Sequence, residues 1–194
     1  MNRGIAYDHK GDHDRALQDD DQAIRLKPDY ADAFTNRGIA YGSKGDYDHA
    51  IRDFDQAIRL KLYDAEAFNN RGVAYGEKGD HDRAIQDFDQ AIRLKPDYAD
   101  AFYDRGSGYY RKGDHDRAIQ DFDQAIRLKP DYAEAFNNRG IAYDDKGDHD
   151  RAIQDFDQAI RLKPDFAGAF LRWGLDRFYL AEFTAAQEDL TGAA

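Results

Sequence analysis

Cysteine is absent from this 194-residue sequence, which also contains one tryptophan, one methionine and four prolines. Without thiols the chain has no disulfide framework, no thiolate metal site and no thiol nucleophile. The same absence leaves the redox compartment open.

Long apolar runs are also missing, so no stretch of the sequence is suited to span a bilayer. The opening residues, MNRGIAYDHKGD, lack the apolar core of a signal peptide. We therefore expect a soluble, cytoplasmic protein that makes no use of a membrane.

A positive net charge is the third absence, because the formal net charge is −11 at pH 7. Proteins that bind nucleic acids need a basic surface to neutralise phosphates. The charge therefore argues against a nucleic-acid partner and favours a basic or neutral protein or peptide.

What the sequence does contain is a 34-residue unit that runs through the whole chain. The block GDHDRAIQDFDQAIRLKPDY at 79–98 recurs unchanged at 113–132, and it recurs at 147–166 with Phe166 as its only substitution. A fixed period of this length is typical of stacked repeat proteins. We expect a single domain over residues 1–194, with repeats at 1–30 (partial), 31–64, 65–98, 99–132, 133–166 and 167–194 (degenerate).

Each repeat is predicted to be a pair of helices joined by a tight turn. In the repeat 65–98, apolar and small residues recur at steps of three and four on both sides of Gly79. Gly79 can take the left-handed conformation that ends the first helix, and Asp80 can cap the second. Pro96 closes the repeat, and Asp97 is predicted to cap the next helix in a capping box with Asp100.

These positions resemble the tetratricopeptide repeat, whose pattern of aromatic, glycine and alanine positions is matched in repeat after repeat. In 65–98 the matching residues are Phe68, Gly72, Tyr75, Ala84, Phe88, Ala91 and Pro96. The resemblance implies an all-α fold, a right-handed superhelical solenoid of antiparallel helix hairpins. It also implies a concave groove, lined by the first helices, that binds peptides or protein partners without catalysis.

One regular departure from the family pattern is an arginine just before the repeat glycine in the first five repeats, whereas the last repeat has Trp173 there. An aspartate stands at a matching level of the second helix. The hypothesis is an Arg–Asp pair inside each hairpin, such as Arg71 with Asp87, repeated as a ladder. The alternative is an exposed arginine, with Asp87 paired to Arg83 along its own helix. Asp89 is interpreted as a solvated partner of Arg93.

The junction at 61–66 differs from the others, because Leu62 replaces the proline and the capping aspartate is shifted by one residue to Asp64. We predict that the preceding helix runs slightly longer here and that the next cap shifts.

Catalytic and metal-binding signals are weak. Ser43 and Ser107, the only serines, do not lie in a Gly-x-Ser-x-Gly elbow. Successive repeat histidines would lie roughly 8–10 Å apart, whereas zinc needs its ligands within about 2.0–2.3 Å of one point. We expect no enzyme, no cofactor and no metal site. The recurring histidines are His13, His81, His115 and His149.

The family geometry places the non-core positions of the first helices in the groove. One row there is acidic and a second row carries amides, broken by Asp104. An acidic groove favours basic or amide-rich segments, although the rows would also serve simply to keep the groove hydrated. The lysine positions of the family's carboxylate clamp hold other residues here, so no clamp is expected. The acids are Asp32, Glu66, Asp100 and Glu134, and the amides are Asn36, Asn70 and Asn138.

The fourth first helix departs most from its counterparts, and it is the strongest candidate for a contact patch. Tyrosine and arginine are enriched at binding hot spots, although drift between repeats would give the same cluster. The residues that differ are Tyr103, Asp104, Ser107, Tyr110 and Arg111.

The last repeat is unusually apolar for the end of a repeat array. It is consistent with a cap packed on the core, a dimer interface or the docking edge of another domain. Self-association through this end is the alternative function to a binding scaffold. The candidate residues are Leu171, Trp173, Leu175, Phe178 and Tyr179.

Overall fold

The computed structural model describes residues 12–165 and 173–174. Residues 12–165 contain nine α-helices and no strand. From Ala31 to Leu162, each repeat contributes a first helix of 13 residues and a second helix of 14. The predicted all-α fold of helical hairpins is therefore confirmed. The helices are α1 (His13–Leu26), α2 (Ala31–Ser43), α3 (Tyr47–Leu60), α4 (Ala65–Glu77), α5 (His81–Leu94), α6 (Ala99–Arg111), α7 (His115–Leu128), α8 (Ala133–Asp145) and α9 (His149–Leu162).

The chain divides into two compact units, which we call the N unit (Met1–Gly108) and the C unit (Tyr109–Ala194). In the N unit, α2 packs against α3 and α4 against α5 to form hairpins, and α1–α2 and α3–α4 contacts join neighbouring repeats. In the C unit, α8 and α9 form a hairpin and α7 packs against α8. The single domain over residues 1–194 stays a prediction.

The turn inside each hairpin has the geometry that the sequence predicted. Gly79 has a φ of 82°, a left-handed conformation that side chains with a Cβ rarely adopt. Asp80 then caps α5, because its carboxylate accepts the backbone N–H of Arg83 at 3.1 Å. Equivalent glycines with positive φ are Gly45, Gly113 and Gly147.

Close packing inside the hairpins depends on the repeat glycine. A Cβ added at Gly72 would lie 2.6 Å from Cε1 of Phe88, closer than real contacts allow. Phe88 is itself 3 % exposed and Ala84 is 1 % exposed. The predicted alternation of small and large residues therefore brings the two helix axes together, and any larger side chain at Gly72 would force them apart.

Entry into the first helices differs from the prediction. Asp64 caps α4 by accepting the N–H groups of Glu66 and Ala67, as expected. However, Asp131, the counterpart of Asp97, makes no side-chain cap; its backbone carbonyl accepts the N–H of Ala133 at 3.0 Å. The general prediction of aspartate caps at these junctions is wrong, because the aspartate precedes the N-cap residue by one position.

The helix before the unusual junction is not longer than its counterparts. α3 ends at Leu60 and has 14 residues, as do α5, α7 and α9. The exit turn closes through a bond from the Asp64 N–H to the Lys61 carbonyl at 3.2 Å. The equivalent bond, from Tyr98 to Lys95, forms where proline is present. Proline is therefore not needed to end the helix.

Candidate functional site

An Arg–Asp network lies beneath the candidate binding face and holds the first helices in place. Arg71 donates from Nε and Nη2 to both carboxylate oxygens of Asp87, at 2.8 and 2.7 Å. The guanidinium also lies over the ring of Phe68, 5.4 Å from its centroid. Bonding to Asp87 raises the pKa of Arg71, whereas burial raises the pKa of Asp87. The predicted pair is confirmed here and in its equivalents, Arg37–Asp53 and Arg139–Asp155.

Each of these arginines also reaches the preceding repeat, which the sequence analysis missed. Arg71 donates from Nη1 to Asp55 at 2.6 Å, and Arg105 donates in the same way to Asp89 at 2.6 Å. Asp89 was predicted to be a solvated partner of Arg93. That interpretation is wrong, because the aspartate faces the first helix of the following repeat. We call the Arg–Asp contacts within and between repeats the arginine ladder.

Arg83, the alternative partner for Asp87, contacts other residues. Its guanidinium pairs with Asp80 at 2.5 Å, at the start of its own helix. It also lies over the ring of Tyr75, 4.6 Å from the centroid. The alternative reading of Asp87 is therefore excluded.

Next to the ladder arginines, the groove positions of the N unit carry amides and one acid. Asn36 and Asn70 are half-buried on α2 and α4. The Nδ2 atom of Asn70 is buried and has no acceptor within the described part of the chain. The clamp-lysine positions hold Thr35 and Asn69 here, and both side chains are buried. These two clamp positions of the N unit therefore carry no cation.

Asp104 is the most perturbed carboxyl of this face. One oxygen accepts from Asn69 Nδ2 at 2.9 Å, and no cation among the described residues pairs with it. Burial raises the pKa of Asp104 to about 6, and the neighbouring charge of Asp100 adds to the effect. The charge of this carboxylate is therefore only weakly compensated within the described part of the chain.

The surrounding field is negative as well. Burial and the charges of Glu66, Asp100, Asp104 and Asp64 raise the pKa of Tyr98 to about 12. Asp100 itself is exposed in the first turn of α6. Tyr103 is half-buried one turn further on, and its carbonyl accepts the Ser107 hydroxyl at 3.0 Å. The Ser107 hydroxyl is thus already used within its own helix.

A pocket of about 310 Å³ opens in the N unit between α2, α3 and α4. Its walls are mainly apolar, with the half-buried side chain of Ile39 and the 40 % exposed side chain of Val73. Asn70 and Glu77 supply polar groups. Gly42 borders the pocket, and a Cβ added there would meet no atom within 4 Å. The sequence analysis missed this pocket, whose one signal was glycine at Gly42 where another repeat has Tyr110.

In the C unit, Tyr110 contacts an aspartate and a histidine. Its hydroxyl donates to Asp145 at 2.6 Å, and its ring meets His115 edge-on with 5.3 Å between centroids. Asn138 is half-buried and accepts from Asn137 Nδ2 at 3.1 Å. Arg111 is exposed in the last turn of α6.

The acidic row is partly neutralised by lysines. Lys163 pairs with Glu134 at 3.0 Å, and this contact lowers the pKa of Glu134. Lys61 lies 3.9 Å from Asp32 in the N unit. Negative charge on this face is therefore less uniform than the sequence predicted.

At the apolar end of the chain, Trp173 is half-buried and packs against a C-unit core cluster that includes Tyr143 and Phe156. This contact fits the alternative of a cap packed on the core. Self-association stays a prediction. Leu171, Leu175, Phe178 and Tyr179 lie outside the described residues.

Membrane-spanning helices and metal sites are two further features to consider within the described residues. None of the helices in residues 12–165 is both long and apolar enough to cross a bilayer. No group of three or more histidine and acidic side chains in the same part of the chain is arranged to hold a metal ion.

Comparisons with known proteins point to one family. Models of the tetratricopeptide repeat match residues 31–61, 65–98 and 103–165, and a further TPR repeat model matches 4–45. No curated protein sequence matches the chain.

Solved structures of the same class resemble the chain over most of its length. A crystal structure of MamA is 30 % identical, covers 86 % of this chain and 98 % of its own, and has a TM-score of 0.74. YrrB, described as a TPR protein with an unusual peptide-binding site, is 25 % identical, with 88 % of each chain covered and a TM-score of 0.69. A thermophilic TPR protein from Thermus thermophilus is 20 % identical, covers 90 % and 95 %, and shares the fold with a TM-score of 0.75.

Proposed function

The chain belongs to the tetratricopeptide repeat family, and we propose that it is a non-catalytic scaffold whose first helices bind a basic or neutral segment of another protein. Its repeats supply a rigid frame through the arginine ladder, and the residues that differ between repeats supply the recognition. Similarity to YrrB, described as having a peptide-binding site, supports this kind of ligand.

Asp104 is the observation that carries the charge preference. It is a half-buried carboxylate whose partner is an amide, in a field to which Asp100 and Glu66 contribute. A lysine or arginine of a bound segment would compensate this charge, whereas an acidic segment would add to the repulsion.

Asn70 supports binding of a main chain. Its Nδ2 donor is buried and lacks an acceptor among the described residues. A buried donor without a partner is costly, and a backbone carbonyl of a bound segment would satisfy it. Backbone recognition of this kind selects an extended segment, while Asp104 selects its charge.

The test is selection of peptides from a random displayed library on the immobilised full chain, followed by affinity measurement with the synthetic peptides. We expect enrichment of lysine and arginine, and affinity that falls between 50 and 500 mM salt because the attraction is screened. Asp104→Asn should weaken binding by about threefold.

Asp104→Asn is a substitution that the fold accepts, because asparagine occupies the equivalent position at Asn36, Asn70 and Asn138. Selection of acidic peptides, or affinity that responds neither to salt nor to this variant, would overturn the charge preference. Recovery of no peptide at all would count against the scaffold function itself.

A further inference from the structure

The two units carry equivalent positions that are filled differently, and this difference shows what the N-unit pocket is shaped to receive. Two repeats separate Gly42 from Tyr110, and the same interval separates Glu77 from Asp145. Gly42 and Glu77 border an open pocket in the N unit. In the C unit, a tyrosine side chain and a carboxylate occupy the same two places.

Tyr110 shows how an aromatic side chain is bound at this position. Its hydroxyl donates to Asp145 at 2.6 Å, and its ring meets the edge of His115 and packs on the core cluster against which Ile141 also packs. The N-unit counterparts of Ile141 and His115 are Val73 and Tyr47, and both line the pocket.

The pocket has counterparts of Ile141, His115 and Asp145, but it lacks the tyrosine. Val73 offers an apolar wall, Tyr47 offers an aromatic side chain, and Glu77 offers a carboxylate acceptor. A carboxylate can accept several hydrogen bonds, so Glu77 can bind a hydroxyl in addition to its existing contacts. The volume of about 310 Å³ is at the lower end of the range for ligand sites.

We propose that the N-unit pocket binds a tyrosine side chain of the partner, with the ring between Ile39 and Val73 and the hydroxyl donating to Glu77. This inference rests on the proposed function, because it assigns one residue of the bound segment. The occupant is the side chain that the protein itself places at the equivalent position of the C unit.

The probe for this site is N-acetyl-L-tyrosine amide, titrated into the full chain with ¹³C-labelled isoleucine and valine methyl groups. Saturable shifts should concentrate on Ile39 and Val73. N-acetyl-L-phenylalanine amide should bind about three- to tenfold more weakly, because it lacks the hydroxyl that Glu77 accepts. Equal binding of N-acetyl-L-leucine amide would show a non-specific apolar site and would overturn the assignment.

Two variants at one position separate pocket filling from loss of fold. Gly42→Tyr should abolish the shifts, because it copies the side chain that fills the C-unit position. Gly42→Ala adds only a Cβ into open space, so it should leave them unchanged. Circular dichroism should show the same helix content for both variants. Unchanged shifts in Gly42→Tyr would overturn the proposal.

Two further variants test the hydroxyl contact and the comparison between units. Glu77→Ala should remove the preference for tyrosine over phenylalanine amide. Tyr110→Gly should open a second site, reported by the methyl groups of Ile141. If Tyr110→Gly gives no new site and the native chain gives no shifts at Val73, this position does not bind tyrosine.

Failure of this inference is distinguishable from failure of the scaffold function. Library peptides that bind the native chain and Gly42→Tyr equally, without enrichment of tyrosine, would overturn the tyrosine pocket and leave the scaffold standing. Shifts from tyrosine amide without any selected peptide would support the pocket chemistry and count against the scaffold.

Discussion

Asn70 and Arg71 are neighbours on the same helix, yet the two positions behave differently from repeat to repeat. The arginine recurs at Arg37, Arg105 and Arg139, whereas the position before it holds Asn36, Asp104 and Asn138. Arg71 donates to Asp87 and Asp55 with all three of its terminal nitrogens. Asn70 has a buried donor without an acceptor.

The two positions differ in how many internal partners the side chain must contact. No other side chain can donate to two carboxylates at once and lie over Phe68 as this guanidinium does. A side chain that faces the groove has no such set of internal partners, so its identity is free to follow a ligand. Constancy between repeats thus marks the frame, and variation marks the surface that we propose for recognition.

Breaking the ladder should have the largest effect. Arg71→Ala would leave Asp87, which is 6 % exposed, as a buried charge without a counterion. We expect the free energy of unfolding to fall by about 3–5 kcal/mol, measured by urea denaturation followed by circular dichroism. Arg71→Lys should lower the free energy of unfolding by an intermediate amount. Lysine keeps the positive charge but cannot donate two parallel hydrogen bonds to the carboxylate of Asp87.

The double variant Arg71→Met/Asp87→Leu serves as the control for this prediction. Removing both charges should recover much of the loss, since an apolar pair leaves nothing unsatisfied. A loss below about 1 kcal/mol for Arg71→Ala would show that Asp87 is solvated when its partner is removed.

The second prediction concerns the position that varies. Asp104 has a folded-state pKa of about 6, above its ordinary value of 3.8. Its protonated form is the one that folding favours, so the contribution of Asp104 to stability should be greatest below pH 4 and should be lost as pH rises through 6. Asp104→Asn should therefore stabilise the protein at pH 7 by at most about 3 kcal/mol, and the difference should vanish near pH 3.

The measurement is the difference in unfolding free energy between Asp104→Asn and the native chain from pH 3 to 8. Asp100→Asn is the matched comparison, because Asp100 is exposed on the same helix. A pH-independent difference for Asp104→Asn would contradict the raised pKa.

The smallest change in stability is expected at Asn70, although its neighbour Arg71 is the site of the largest. Asn70→Ala removes a buried amide donor without an acceptor among the described residues, which stabilises, and also the packing of a half-buried side chain, which destabilises. The net change in stability should therefore stay below about 0.5 kcal/mol. The same denaturation experiment applies. A loss comparable to that of Arg71→Ala would erase the distinction between frame and recognition surface.

Much of the frame could be predicted from the sequence, because helical spacing and the glycine turns are local properties. The period located the hairpins, and the Arg71–Asp87 pair followed from the matching levels of two helices in one repeat. The contact from Arg71 to Asp55 was missed because it joins two repeats. The prediction that α3 extends past Leu60 was wrong, because backbone hydrogen bonds, and not proline, close the turn after this helix.

The candidate site was less accessible to prediction. Asp104 stood out as a departure from the amide row, but its raised pKa comes from burial, which spacing does not report. The pocket beside Gly42 is defined by a missing side chain, and only the distance between α2 and α4 turns that absence into a cavity. Comparison of Gly42 with Tyr110 became informative once Asp145 was seen to accept the tyrosine hydroxyl.

The arginine ladder has a further consequence for how the array opens. Because Arg71 holds Asp55 of one repeat and Asp87 of the next, a hairpin that melts alone takes a counterion away from its neighbour. Stability in such an array resides in interfaces as well as in single repeats. Local opening should therefore be cooperative across adjacent hairpins, and amide hydrogen exchange should report shared rather than independent protection.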